Sequence, residues 1–531
     1  MYHQTILETW GDEPPEIRST KASKTGEGVI DESTFRTIEI DGLFDAVNHA
    51  KTVIGQATLY RSLAQPPEDL DTIQAKQDSL RELESNAQLR EKISQLVENA
   101  SNNEQDFYRL LYGTFMGFFG NAKEPMEIDG YGYESYIKGT RFMLGLTQEV
   151  QALPETRSSY LKGLVDKIVS FGASRAYSLM QGPAYISEKG ILCKEEKSTL
   201  TPAVRFRPTL FKPVFIAVVI GILVLLGKFY PLATFGVSTS AVPILILLSF
   251  PLLMVYVPIV GGFDRDSCIY PLRTLYKNAA EVQETLDALG ELDELLSFMA
   301  FSENFGGTTV LPKFRTAKHH SIDLKKVKNP ILGKGNEDYV PNDFVLDAEK
   351  LAFITGPNSG GKTAFCKTVS QVQLLAQIGC YVPAEQADLA VADRIFYQVP
   401  EISHLIDGEG RFGTELKRTK EIFLASSPRS LVVLDELSEG TTYEEKLETS
   451  ANVLNGFLKK GNNTILITHN HELVDKFTEQ GIGKPLQVEF VADHPTYKLV
   501  PGISRVSHAD RVAKKIGFSK DDIDRYLSDN D

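Results

Sequence analysis

Cysteine is scarce in this sequence: four in 531 residues (Cys193, Cys268, Cys366, Cys380), with no C-x-x-C pair among them. That excludes a disulfide framework and a zinc site, and it fits a reducing compartment. Basic charge is also short. Lys and Arg number 56 against 70 Asp and Glu, for a formal net charge of −14. A chain that coats nucleic acid non-specifically needs basic surface to displace counterions, so that class is excluded, and no long Lys/Arg run marks a local groove. The N-terminus, MYHQTILETWGDEPPE, has no basic stretch followed by an apolar core and so is no secretory signal. No internal repeat is found. Hydrophobic residues at 42% and charged residues at 24% are ordinary for a folded chain, and the length provides for about two to four domains.

Charge is most conspicuously missing between Pro213 and Phe263, where Lys228 is the single charged residue. One apolar run, VFIAVVIGILVLLG, covers residues 214–227, and a second, AVPILILLSFPLLMVYVPIV, covers residues 241–260. A bilayer-spanning helix needs about 20 mostly apolar residues. The second run has that length; the first reaches it if Lys212 and Lys228 extend their ammonium groups to opposite interfaces. Pro243, Pro251 and Pro258 would kink the second helix. Arg205, Arg207 and Lys212 precede the pair and Arg265 follows it, so the positive-inside rule puts both ends in the cytoplasm. The expectation is a transmembrane hairpin over residues 209–263, with lipid contact through residues 213–260. The protein would then sit in a membrane, the inner or plasma membrane of a bacterium, with both large domains cytoplasmic. The alternative is a pair of buried core helices or strands.

Glycine and lysine carry the strongest signal downstream. LAFITGPNSGGKTAF holds Gly356-x-x-x-x-Gly361-Lys362-Thr363 between an apolar strand pattern (residues 351–355) and a helical one. That is the context of a P-loop. Glycines let successive backbone N–H groups turn inward around phosphates, Lys362 reaches the β- and γ-phosphates, and the Thr363 hydroxyl is a Mg²⁺ ligand. SLVVLDELSEG then sets an apolar strand before Asp435 and Glu436. A carboxylate at such a strand end holds Mg²⁺, and the next one polarises the attacking water. TILITHNHEL is a third apolar strand, ending at His469, a candidate γ-phosphate sensor whose bland alternative is a structural histidine. Strand–P-loop–helix, strand–DE and strand–His together make an α/β P-loop NTPase domain that binds ATP.

GPNSGGKT, LLAQIGCYVPA, DELSEGTT and ITHNHEL together resemble the MutS family, whose ATPase is ABC-like. YVPND (residues 339–343) resembles that family's entry segment. GLFDAVNHAKTVIGQATLYRSLAQPPEDLDTIQAKQDSLREL (residues 42–83) is similar to the start of its helical core, and ELDELLSFMAFSENF (residues 291–305) to the helix returning from that core. The likeness covers residues 35–110 and 265–515. It implies that Gly356, Pro357, Asn358, Ser359, Gly360, Gly361, Lys362 and Thr363 wrap the triphosphate. Thr363 and Asp435 would handle Mg²⁺, Glu436 would activate water, and Tyr339 would stack on adenine. Tyr497 is a weaker candidate for the opposite face. It also implies a homodimer in which one subunit completes the other's site. There the sequence departs from the family: GEGRFGTEL keeps Phe412 and Glu415 but replaces Ser-Thr by Gly410 and Arg411, which makes Arg411 a candidate for acting in trans.

The resemblance orders the chain as a polar tail (residues 1–34), the first part of an all-α core or lever domain (35–208), the hairpin (209–263), the return of the core (264–320) and the ATPase with a C-terminal dimerisation segment (321–531). The family's mismatch-reading, connector and clamp domains are expected to be absent, with the hairpin standing where the DNA clamp would be. The leading expectation is a membrane-anchored ATPase that uses ATP to switch a dimer. The alternative is a mismatch-repair or recombination protein that binds DNA, although neither charge nor domain content supports DNA as a partner. A transporter ATPase is a third reading, and no LSGGQ-type signature supports it.

Overall fold

The computed structural model describes residues 16–117, 128–198, 203–212, 221, 255–357, 360–400, 410–437, 442–491, 494–505 and 516–528. The chain divides into two units. One comprises Met1–Ser19, Ala50–Thr58 and Glu82–Glu294, and the other Thr20–His49, Leu59–Arg81 and Leu295–Asp531.

The first unit is mainly helical. Asn86 caps helix Ala87–Tyr112 by accepting from the Leu89 amide, and Leu89, Ile93, Leu96, Val97 and Ala100 form its buried side at helical spacing. Helix Tyr133–Gln151 crosses it closely at Gly139, where an added Cβ would stand 3.0 Å from the Phe107 Cα. Two buried carboxylates hold the segment that opens helix Val53–Ala64. Asp293 accepts from the Thr52 amide at 2.7 Å, and Glu104 accepts from the Val53 amide at 2.7 Å.

This unit is not all-α as the sequence suggested. β1 (Ala184–Ser187), β2 (Gly190–Leu192) and β3 (Val204–Phe206) form an antiparallel sheet in the order β2-β1-β3. Such short strands offer too few alternations to announce themselves by periodicity.

The second unit holds two sheets. β4 (Lys313–Arg315), β5 (Ile322–Val327), β6 (Asn342–Leu346) and β8 (Gln386–Ala390) form a four-stranded sheet in the order β4-β8-β5-β6. Because β4 belongs to it, the nucleotide-binding half takes in residues before the expected start at 321. The main sheet has six strands in the order β13-β12-β7-β11-β10-β9, using β7 (Leu351–Thr355), β9 (Ile395–Gln398), β10 (Leu431–Asp435), β11 (Asn463–Ile467), β12 (Lys484–Val491) and β13 (His494–Pro501). All its pairings are parallel except β12 with β13. β7, β9 and β11 are buried at every residue, which is why they read as unbroken apolar runs rather than alternating ones.

Part of the expected polar tail is packed structure. Val29 and Ile30 are buried, the Ile395 amide donates to the Val29 carbonyl at 2.7 Å, and Ile30 bridges to Ile395 at the start of β9. Asp31 then caps helix Glu32–Thr37 by accepting from the Thr34 amide. Two apolar residues inside a polar stretch carry no period, so nothing in the sequence separated them from a disordered leader.

The expected membrane hairpin gains no support from the described residues. No helix among the described residues is long and apolar enough to cross a membrane. Residues 213–220 and 222–254, most of the two apolar runs, lie outside the described residues. What is described at their ends is bonded into the helical unit. The Tyr256 hydroxyl donates to the Leu210 carbonyl at 2.8 Å. Buried Asp264 accepts from the Tyr133 hydroxyl at 2.5 Å and pairs with Lys212 at 2.6 Å. Lys212, expected to reach a bilayer interface, is instead the counter-ion of a buried aspartate.

Candidate nucleotide site

Strand β7 delivers the P-loop at its C-terminal end. Gly356 (φ 134°) and Gly361 (φ 82°) both take angles that favour glycine, and Gly361 opens helix Lys362–Gln377. The loop lies close to its neighbours. A Cβ on Gly360 would stand 3.1 Å from the Val488 side chain on β12, and one on Gly361 would stand 3.2 Å from the Tyr497 ring on β13. Lys362 is only 3% exposed and its ammonium donates to the Gly356 carbonyl at 2.6 Å. Burial depresses its pKa, opposed by the carboxylates of Glu436 and Asp435.

The acidic residues converge on the same point. The Thr363 hydroxyl donates to Asp435 Oδ2 at 2.8 Å, so a hydroxyl and a carboxylate oxygen from the ends of two different elements stand together. These are hard oxygen donors of the kind Mg²⁺ takes, and they fit the ion that the sequence implied. Glu436 adopts a left-handed φ of 60°. Its own amide donates to the Ile467 carbonyl at 2.9 Å, and its Oε1 accepts from the His469 amide at 3.0 Å. Lys446 Nζ stands 3.7 Å from Glu436 Oε2, and His469 Nε2 stands 3.8 Å from Oε1. Strain at a non-glycine residue, repaid by backbone hydrogen bonds, is a feature of functional positions.

The structure therefore brings together Gly356, Gly360, Gly361, Lys362, Thr363, Asp435, Glu436, His469 and Tyr497, with Pro357 buried in the loop. Tyr339 is placed differently: its hydroxyl interacts with Thr368, further along the helix after the P-loop, and burial raises its pKa. Asn358 and Ser359 lie outside the described residues. Arg411 falls in helix Gly410–Ala425, and its side chain is likewise outside the described residues.

Three contributors carried no signal in the sequence. Lys446 sits in YEEKLE, which reads as a solvated helix face. Tyr397, buried at β9, donates to the Thr363 carbonyl at 3.4 Å. Val488 is one more apolar strand residue until its contact with the loop is seen.

Comparison with known proteins agrees with this geometry. Residues 352–526 match the family MutS domain V. Over those residues the chain is similar to the MutS family. Among similar proteins are the DNA mismatch repair protein MSH3 of Kluyveromyces lactis, 30% identical over 48% of this chain and 26% of its own length, and the DNA mismatch repair protein MutS of Chlorobaculum tepidum, 32% identical over 47% of this chain and 29% of its own. The msh3 protein of Aspergillus fumigatus is 31% identical over 46% of the chain and 22% of its own length. The match thus spans well under a third of these relatives. Their names are those of repair proteins, and they lend no support to a membrane address.

Proposed function

We propose that the chain is an ATPase of the MutS type that works as a homodimer and couples its nucleotide cycle to a DNA transaction of the mismatch-repair kind. The observation that carries the ATPase reading is the convergence of Thr363 and Asp435 at 2.8 Å beside the buried Lys362, with Glu436 held next to them by the His469 amide. DNA comes from the names of the relatives, and the homodimer from the resemblance. With a net charge of −14, DNA would have to meet local basic surface rather than an attractive overall field.

In this reading Lys362 exchanges the Gly356 carbonyl for the phosphates, whose oxygens also accept from the N–H groups around Gly356–Thr363. Mg²⁺, held by Thr363 and Asp435, would neutralise charge on the phosphate oxygens. Glu436 orients the attacking water and accepts its proton while the water oxygen bonds to the γ-phosphorus and the bridging P–O bond breaks. The His469 amide keeps that carboxylate aimed. Helices Val53–Ala64, Leu70–Ser85 and Ala280–Asn304, which each contribute residues to both units, would carry the change from the nucleotide site to the helical unit.

The test measures nucleotide binding and single-turnover hydrolysis, together with binding of matched and mismatched duplexes across a salt series. Lys362→Ala is expected to abolish binding, and Glu436→Gln to bind normally while hydrolysing about 10²–10⁴-fold more slowly. Near-normal turnover in Glu436→Gln would remove it as the base. DNA affinity that neither depends on salt nor responds to ATP would remove the repair reading and leave the ATPase intact.

A further inference from the structure

Away from the nucleotide site, the helical unit contains a cavity of ≈ 360 Å³. Helix Tyr133–Gln151 forms one wall, the turn after helix Arg175–Gln181 another, and the end of β3 the third. Its size is at the lower end of ligand pockets. Phe206 and Tyr136 meet edge to face at 5.5 Å, and the Tyr136 hydroxyl is bonded to that of Tyr276 at 3.0 Å. Leu144 and Met180 add apolar lining.

The charge of this lining is unlike that of the rest of the chain. Arg141 and Arg207 both line the cavity, and none of its lining residues is an aspartate or glutamate. Among the described residues neither guanidinium has a carboxylate within ion-pair distance. In a chain carrying −14, two uncompensated cations over one aromatic-walled concavity reverse the local field. Guanidinium is also the donor best matched to the paired oxygens of phosphate and carboxylate.

We propose that this cavity binds a small organic anion, its phosphate or carboxylate gripped by Arg141 and Arg207 and its compact apolar body laid against Phe206, Leu144 and Met180. The inference does not depend on the nucleotide reading. Neither arginine belongs to the ATPase machinery, so substituting them leaves ATP turnover unchanged.

The experiment titrates phenyl phosphate, benzoate and inorganic phosphate into the full chain carrying Lys362→Ala, which disables the P-loop as a competing anion site. Saturable binding of phenyl phosphate or benzoate is expected, and the tighter of the two identifies the headgroup. Arg141→Gln and Arg207→Gln should each weaken it about tenfold to a hundredfold, the scale of losing a charge-assisted contact. Inorganic phosphate, lacking the apolar body, should bind more weakly than phenyl phosphate. A second measurement needs no arginine variant: phenylglyoxal modification of Arg141 and Arg207, read by peptide mass spectrometry, should slow when the better ligand is present. The proposal falls if neither organic anion binds saturably at millimolar concentration. It also falls if both arginine variants bind as the parent does, if modification is not slowed, or if a short single-stranded oligonucleotide outcompetes phenyl phosphate and so makes the face a nucleic-acid contact.

Discussion

Replacing Arg418 by Met tests whether the N-terminal segment is part of the nucleotide-binding half. Arg418 lies in helix Gly410–Ala425 and is 8% exposed, while Asp31 is 2% exposed. Arg418 Nη2 donates to Asp31 Oδ2 at 2.7 Å and Nη1 to the Thr25 hydroxyl at 2.9 Å. Removing the guanidinium leaves a buried carboxylate whose remaining partners among the described residues are the Thr25 hydroxyl and Thr34. Breaking one side of such a buried pair costs about 3–5 kcal/mol. At roughly 2–4 °C per kcal/mol, the melting temperature should fall by about 6–20 °C in calorimetry. Burial works against the charged Asp31 carboxylate, but Arg418 and the Thr34 hydrogen bonds outweigh it and hold its pKa below the usual range. In the parent this stability is therefore present above the ordinary carboxylate pKa and lost as pH falls through the depressed value. In Arg418→Met the sign reverses, because an unpaired buried carboxylate is relieved by protonation, so the deficit should shrink on acidification. Asp31→Asn combined with Arg418→Met should recover much of the loss. A deficit below about 1 kcal/mol, or a double variant that loses the full sum of the two singles, would refute the coupling.

Two further outcomes are expected. Gly361→Ala puts a Cβ at a φ of 82° and 3.2 Å from the Tyr497 ring, so strain of about 1 kcal/mol and displacement of Tyr497 should together weaken ATP about tenfold in equilibrium binding; affinity within twofold of the parent would show that the loop tolerates the change. Burial lifts Glu104 to about 7, with Asp293 adding to the rise and the Val53 amide and Tyr108 hydroxyl opposing it. The folded state then holds a proton that the unfolded chain releases between the ordinary glutamate value and 7, so stability falls by about 3 kcal/mol as pH rises through that window. Glu104→Gln should flatten this slope, and a difference from the parent that does not vary with pH would disprove it.

The nucleotide site was legible because its grammar is local. An unbroken apolar strand, a glycine-rich turn and a helix that follow one another between Leu351 and Gln377 place Gly356–Thr363 wherever the rest of the chain goes. Asp435 and Glu436, at the end of one apolar strand, and His469, just after another, were readable for the same reason. The two apolar runs were less legible, because hydropathy measures what a segment avoids and not what covers it. Lys212 and Asp264 show the difference: 52 positions apart (264 − 212), they read as a flanking cation and a distant acid, and the structure makes them a buried pair at 2.6 Å.

The sequence by itself determined the glycine-rich loop at Gly356–Thr363, the acidic pair Asp435 and Glu436 at the end of a later strand and the likeness of residues 352–526 to MutS domain V, since each depends on neighbours along the chain. Only the tertiary structure decided that Lys446 faces Glu436 and that Asp31 answers Arg418. It alone set Arg141 and Arg207 over the same cavity. Those contacts join residues whose separation carries no period, and their energies arise only when folding removes water from both partners.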